Sequence, residues 1–164
     1  MGMLAAGKVA PDFTLEGIDG KSHSLAAALK HGPVVLAFFK ISCPICQFTF
    51  PYIERIFETY GDSKIKLWGI SQDDAEDTRE FCKEFEISFL QLIDANGYSV
   101  SNRYGITNVP TLFLIGTDGK IHISETGFSK KHLEQIAKEF AAANSVPPSA
   151  LFKPSDIVPD YKPG

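Results

Sequence analysis

Cysteine is scarce in this chain. Three cysteines in 164 residues are too few for a disulfide scaffold. Long apolar runs are missing as well: no stretch approaches the roughly 18 residues that span a bilayer, so no membrane span is expected. Charge of one sign is not in excess. The formal net charge is −4 with acids and bases interspersed, which offers no basic face to nucleic acid and no tail of a single sign. Met1 to Ala10 lacks a long apolar region, so no targeting segment is read. The expected location is the cytoplasm as written, or the periplasm or another extracytoplasmic space if a leader has been removed. Metal ligands do not pair up either. One C-x-x-C supplies two ligands where a closed zinc site needs four, and Cys82, His23, His31, His122 and His132 show no second paired spacing. Neither a metal nor a cofactor is expected. What is present is about one domain of length, with 44% apolar and 12% aromatic residues, enough for the core of a soluble globular protein.

The informative stretch is Val34 to Tyr60, VVLAFFKISCPICQFTFPYIERIFETY. Its first six residues follow His31-Gly32-Pro33 and read as a buried central strand. Phe48, Tyr52, Ile53, Ile56, Phe57 and Tyr60 then recur at spacings of three and four, one face of an amphipathic helix, which Gly61 ends. Pro44 suits the first helical turn, where its missing N–H costs nothing. Cys43 therefore falls at the helix entrance, where free N–H groups and the helix dipole favour thiolate over thiol. Cys46 lies one turn on, on the same side and more sheltered, at a spacing that can close a disulfide.

Elsewhere the pattern predicts an N-terminal hairpin across Gly17-Ile18-Asp19-Gly20, a short helix over 26–30, a strand over 64–71 and a helix over 75–86. An extended segment over 89–93, a short helix over 98–104 and a strand entered through Pro110 follow. A turn at Gly116-Thr117-Asp118-Gly119 leads into a strand over 120–126, and Ser129 caps a last helix to about Ala143. Two βα units followed by a β-hairpin imply an α/β fold: a mixed central sheet flanked by helices. Residues 1–144 form the domain. Residues 145–164 hold five of the ten prolines and read as an extended tail, with Leu151, Phe152, Ile157, Val158 and Tyr161 apolar enough to dock it on that domain.

Four stretches carry a family resemblance: GKVAPDFTLEGIDGK from Gly7, Cys43-Pro44-Ile45-Cys46, Pro51 within the helix, and DANGYSVSNRYGITNVPTLFLIGTDGKI from Asp94. The chain resembles the thioredoxin-like superfamily in its alkyl hydroperoxide reductase/thiol-specific antioxidant (AhpC/TSA) branch, which includes oxidoreductases of the cytochrome-maturation type. The resemblance implies a thioredoxin fold and thiol-disulfide exchange. In that chemistry Cys43 attacks a disulfide, Cys46 resolves the mixed disulfide, and the reverse reaction oxidises dithiols. It also places Pro110 beside Cys43 as the cis-proline and lets the Val109 backbone, with Pro44 and Ile45 nearby, receive an extended substrate. The implied partners are protein or small-molecule disulfides and dithiols and a thiol electron donor, with the protein a monomer or weak dimer.

The sequence departs from that pattern. Ser42 stands where tryptophan is usual, and Ala37 where thioredoxin has a buried acid, so the customary proton acceptor is missing. Lys40, Asp73 and Glu86 are the candidate charged residues near the site, with helix capping accounting for Asp73. Phe39, Ile41 and Ile45 form either an apolar collar around the cysteines or part of the core. Pro44 directly after the first cysteine resembles glutaredoxins and some periplasmic oxidants, so a potential less reducing than thioredoxin's about −270 mV is expected. The alternative is a peroxiredoxin-like thiol peroxidase. Its P-x-x-x-T-x-x-C pattern, however, would put the peroxidatic sulfur at Cys46, threonine at Cys43 and proline at Phe39. A second alternative is a non-catalytic binding module on the same fold. Cys82, on a helix's inward face, reads as a buried apolar residue, and the histidines as solvated.

Overall fold

The structure is a computed structural model that describes residues 2–61 and 64–164. Its centre is β3 (Val34–Phe39), six residues with no exposed member. Such a run is apolar throughout because both faces of its sheet are covered. β3 pairs in parallel with β4 (Lys66–Ser71) and antiparallel with β6 (Thr111–Ile115). β5 (Gln91–Ile93) and β7 (Ile121–Thr126) complete a mixed sheet of order β5-β4-β3-β6-β7. An N-terminal hairpin of β1 (Thr14–Glu16) and β2 (Ser22–Ser24) forms a separate small sheet, tied to β5 by a bridge between Gly17 and Leu92.

Strand alternation sorts the core into two layers. Val35, Ala37, Phe39, Leu112 and Leu114 face α2 (Pro44–Tyr60), α3 (Ala75–Glu84) and α5 (Lys130–Ala143). Val34, Leu36, Phe38, Phe113 and Ile115 face α1 (Leu25–Leu29), α4 (Ser99–Arg103) and the hairpin. Phe39 is wholly buried, its ring 4.3 Å from Phe50 and 5.1 Å from Phe81. It is therefore core, not collar, whereas Ile41 and Ile45 are half-buried beside the cysteines.

The helix caps follow local chemistry. Ser24, Asp74 and Ser129 each accept a backbone N–H of the first turn, satisfying donors that have no partner inside the helix. After α5 the chain turns back along α2 and ends in β9 (Tyr161–Lys162), antiparallel to β8 (Phe128–Ser129). No helix among the described residues is long and apolar enough to cross a membrane.

Candidate active site

The corner where β3 hands over to α2 is built by short-range constraints. Cys43 is the N-cap of α2, in extended backbone, and Pro44 occupies the first helical turn. Three hydrogen bonds hold the loop ahead of it. Ile41 N–H donates to Asp73 Oδ2 at 2.8 Å, Gln47 Nε2 donates to the Ile41 carbonyl at 2.9 Å, and Cys43 N–H donates to the Lys40 carbonyl at 3.3 Å. Asp73 is not the cap of α3, a role taken by Asp74. Its carboxylate instead crosses to the loop, while its own N–H donates to Ser71 Oγ, which shares a buried hydrogen bond of 2.7 Å with Thr78. Asp73, expected as a helix cap, thus supports the cysteine loop instead.

The two sulfurs sit in different surroundings. Cys43 is half-buried, and its sulfur accepts the Cys46 N–H at 3.1 Å and lies 3.4 Å from the Val109 carbonyl, to which its thiol donates. Cys46 is 0% exposed. Burial pushes its thiol far up, with the Cys43 side chain and the Asp73 charge acting the same way against the Lys40 backbone. Burial therefore favours the protonated thiol over the thiolate at Cys46.

Val109 and Pro110 arrive from the far side, ahead of β6, and their peptide bond is cis. Cys43, Pro44 and Val109 line one open groove of about 460 Å³ together with Lys40, Gln72 and Asn108. Pro110 is buried behind Val109. Ile45 is not among the groove's lining residues; it packs against the core cluster, and its carbonyl accepts the Thr49 hydroxyl at 2.6 Å. Lys40 is exposed at the rim, and Glu86 is exposed in a left-handed turn with φ 54°.

The sequence profile of the AhpC/TSA family matches residues 6–124. The chain belongs to the AhpC/TSA family. The matched span takes in Cys43, Cys46, Val109 and Pro110 and stops before α5 and the tail. The chain is 30% identical over 139 residues to the thiol-disulfide oxidoreductase ResA of Geobacillus thermodenitrificans, covering 81% of this chain and 79% of that one. It is 32% identical over 139 residues to the ResA of Halalkalibacterium halodurans, covering 84% and 76%. Among solved structures, the thioredoxin domain of a thiol-disulfide oxidoreductase from Bacteroides vulgatus superposes with a TM-score of 0.71 at 27% identity, covering 84% of this chain and 98% of that one. The fold is that of thioredoxin, and the enzyme class is thiol-disulfide oxidoreductase.

Other titratable groups of this AhpC/TSA chain lie elsewhere. Cys82, half-buried on α3, has its thiol pushed up to about 11 by burial and the charge of Glu54. Glu54 is itself buried and accepts from both the N–H and the hydroxyl of Ser88. His23, His122 and His132 are not simply solvated: they contact Asp19, Asp118 and Glu125 at 2.9–3.1 Å. Among the described residues no group of three or more His, Cys, Asp or Glu is arranged to hold a metal ion. Asp73 was findable in part, because it follows β4 at the carboxyl edge where open α/β sheets place their sites. Asn108 and Gln72 carried no comparable signal.

Proposed function

We propose that Cys43 and Cys46 perform the exchange, with Cys43 as attacking sulfur and Cys46 as resolving sulfur. The observation that supports this most is their asymmetry: one sulfur stands half-exposed at a helix N-terminus while the other, three residues on, is fully buried behind it. The Cys43 thiolate attacks one sulfur of a substrate disulfide, forming a mixed disulfide, and the other substrate sulfur leaves as a thiolate that takes up a proton. Cys46 then loses its proton and attacks the Cys43 sulfur, releasing the second substrate thiol. Two electrons pass from the pair to the substrate, and a thiol donor restores the dithiol. Asp73 and Gln47 hold the loop, so Cys43 meets its target without reorganising. The peroxidase reading is weaker because Cys46, which would be its peroxidatic sulfur, is the group that burial keeps protonated.

The test is a redox titration of the protein against graded ratios of reduced and oxidised glutathione, with Cys43→Ser and Cys46→Ser run beside it. The expected result is one two-electron transition that both substitutions abolish, at a potential above thioredoxin's about −270 mV. Conversion of Cys46 to a sulfenic acid by peroxide, with no Cys43–Cys46 disulfide formed, would overturn the assignment.

A further inference from the structure

The segment after α5 runs back along α2 from Tyr60 to Phe48 and reaches the groove. At the far end, Asn144 Nδ2 donates to the Tyr60 carbonyl at 3.0 Å, and Ser149 N–H donates to the Tyr60 hydroxyl at 3.0 Å. One turn back along α2, Arg55 donates to the Leu151 carbonyl at 3.3 Å and to Asp156 at 2.7 Å. Phe152 packs 5.1 Å from the Tyr52 ring, and Lys162 Nζ lies 4.7 Å over the Phe48 ring. β9 then pairs with β8, and Asn108 Nδ2 donates to the Gly164 carbonyl at 3.2 Å, on the groove that Cys43 lines.

Two glycines allow this approach. At Gly164 a Cβ would lie 2.5 Å from the Val109 carbonyl oxygen, the atom that also faces the Cys43 sulfur. At Gly127, with φ +82°, a Cβ would strike the Lys162 carbonyl oxygen. Main chain therefore lies directly against main chain beside Val109, where any side chain would hold the segment away.

We infer that the segment 161–164, which reaches the groove through Gly164, forms a wall beside Cys43 and sets the size of disulfide the groove admits. The inference rests on Cys43 as attacking sulfur. The Val109 backbone is flanked on one side by Gly164, so an incoming disulfide enters over Lys40, Pro44 and Gln72. A small disulfide fits a groove of about 460 Å³, whereas a disulfide on a broad folded surface meets Lys162 to Gly164 first. The preferred substrates are small disulfides and disulfides on flexible chains.

Two paired measurements test this on the full chain, on a variant lacking residues 161–164 and on Gly164→Val, which disturbs the contact without touching the core. The first is alkylation of Cys43, followed by peptide mass mapping, with iodoacetamide and with a maleimide carried on a folded protein. The second is exchange with oxidised glutathione and with a folded protein bearing an exposed disulfide. Both variants should raise the large-to-small rate ratio, by about fivefold for the deletion and less for Gly164→Val. Ile157→Ser, at a tail residue 97% exposed, should leave the ratio unchanged. An alkylation ratio within about twofold of the full chain's in both variants would overturn the wall, whatever the exchange rates do. A shifted alkylation ratio with no exchange on either disulfide would keep the wall and overturn the exchange mechanism.

Discussion

The two ends of α2 differ in what lies over them: one is covered by the returning tail, the other is left open at Cys43. Its C-terminal end is covered: Gly61 N–H donates to the Phe57 carbonyl at 2.6 Å, the Tyr60 ring lies 6.3 Å from Phe140, and the returning tail hydrogen-bonds to the Tyr60 carbonyl and hydroxyl. Its N-terminal end is held by directional polar contacts, from Asp73 and Gln47 to Ile41 and from Cys46 N–H to the Cys43 sulfur. An apolar lid over that end would fix it equally well but would bury the Cys43 sulfur, which now stands half-exposed. Hydrogen bonds fix position without enclosing, and so the Cys43 end is left open while the Tyr60 end is covered by the tail.

The sharpest way to break the contrast is at the sulfurs. Cys43→Ser should remove exchange altogether. Cys46→Ser should leave the first attack intact and accumulate a mixed disulfide on Cys43, visible as a mass increase equal to the substrate half. In the unsubstituted reduced protein, mass mapping after brief alkylation should find Cys43 modified first. Cys82 should follow and Cys46 come last, the order of their exposure and of the upward push on the two sheltered thiols.

The packed end should respond in stability and not in chemistry. Leu151→Ala removes a side chain only 9% exposed and should cost about 2–3 kcal/mol in denaturant unfolding. The polar end should respond the other way. Asp73→Ala removes the carboxylate that holds Ile41 N–H; it should cost only about 1–2 kcal/mol yet slow the attack of Cys43, measured as a fall in the second-order rate with oxidised glutathione. If Asp73→Ala lost stability but kept its rate, the loop would be a structural support only.

The smallest effect concerns pH and the tail. The hydrogen bonds from Arg55 hold the Asp156 carboxyl down to about 2, from an ordinary 3.8. A carboxyl lowered in the folded state stabilises it fully above the unfolded value and loses that contribution as pH falls through the folded one. Tail docking should therefore weaken between about pH 4 and about pH 2, seen as faster amide exchange over residues 151–162. Arg55→Ala should flatten that dependence.

Much of this architecture is local chemistry and can be read along the chain. Pro44 suits the first turn of a helix because its missing N–H is not needed there, and the spacing of the two cysteines puts both sulfurs on one side. The apolar run of β3, the hairpin turn at Gly17 to Gly20 and the Ser129 cap depend on neighbours within four residues, which is why their places were legible. Helix ends differed by a residue or two, where capping competes with fraying. Other features depend on partners far apart in sequence. Asp73 reaches Ile41 across 32 residues, Glu54 finds Ser88 across 34, and Gly164 comes to rest on Asn108 across 56. Composition showed that the tail was apolar enough to dock, but not that it lies along α2 and ends beside Val109. A side chain's own type sets what bonds it can make, whereas which bond it does make depends on what packing brings within about 3 Å of it. That is why the cysteine pair announces itself in the sequence, while the acid that holds it and the wall beside it emerge only when the chain has folded.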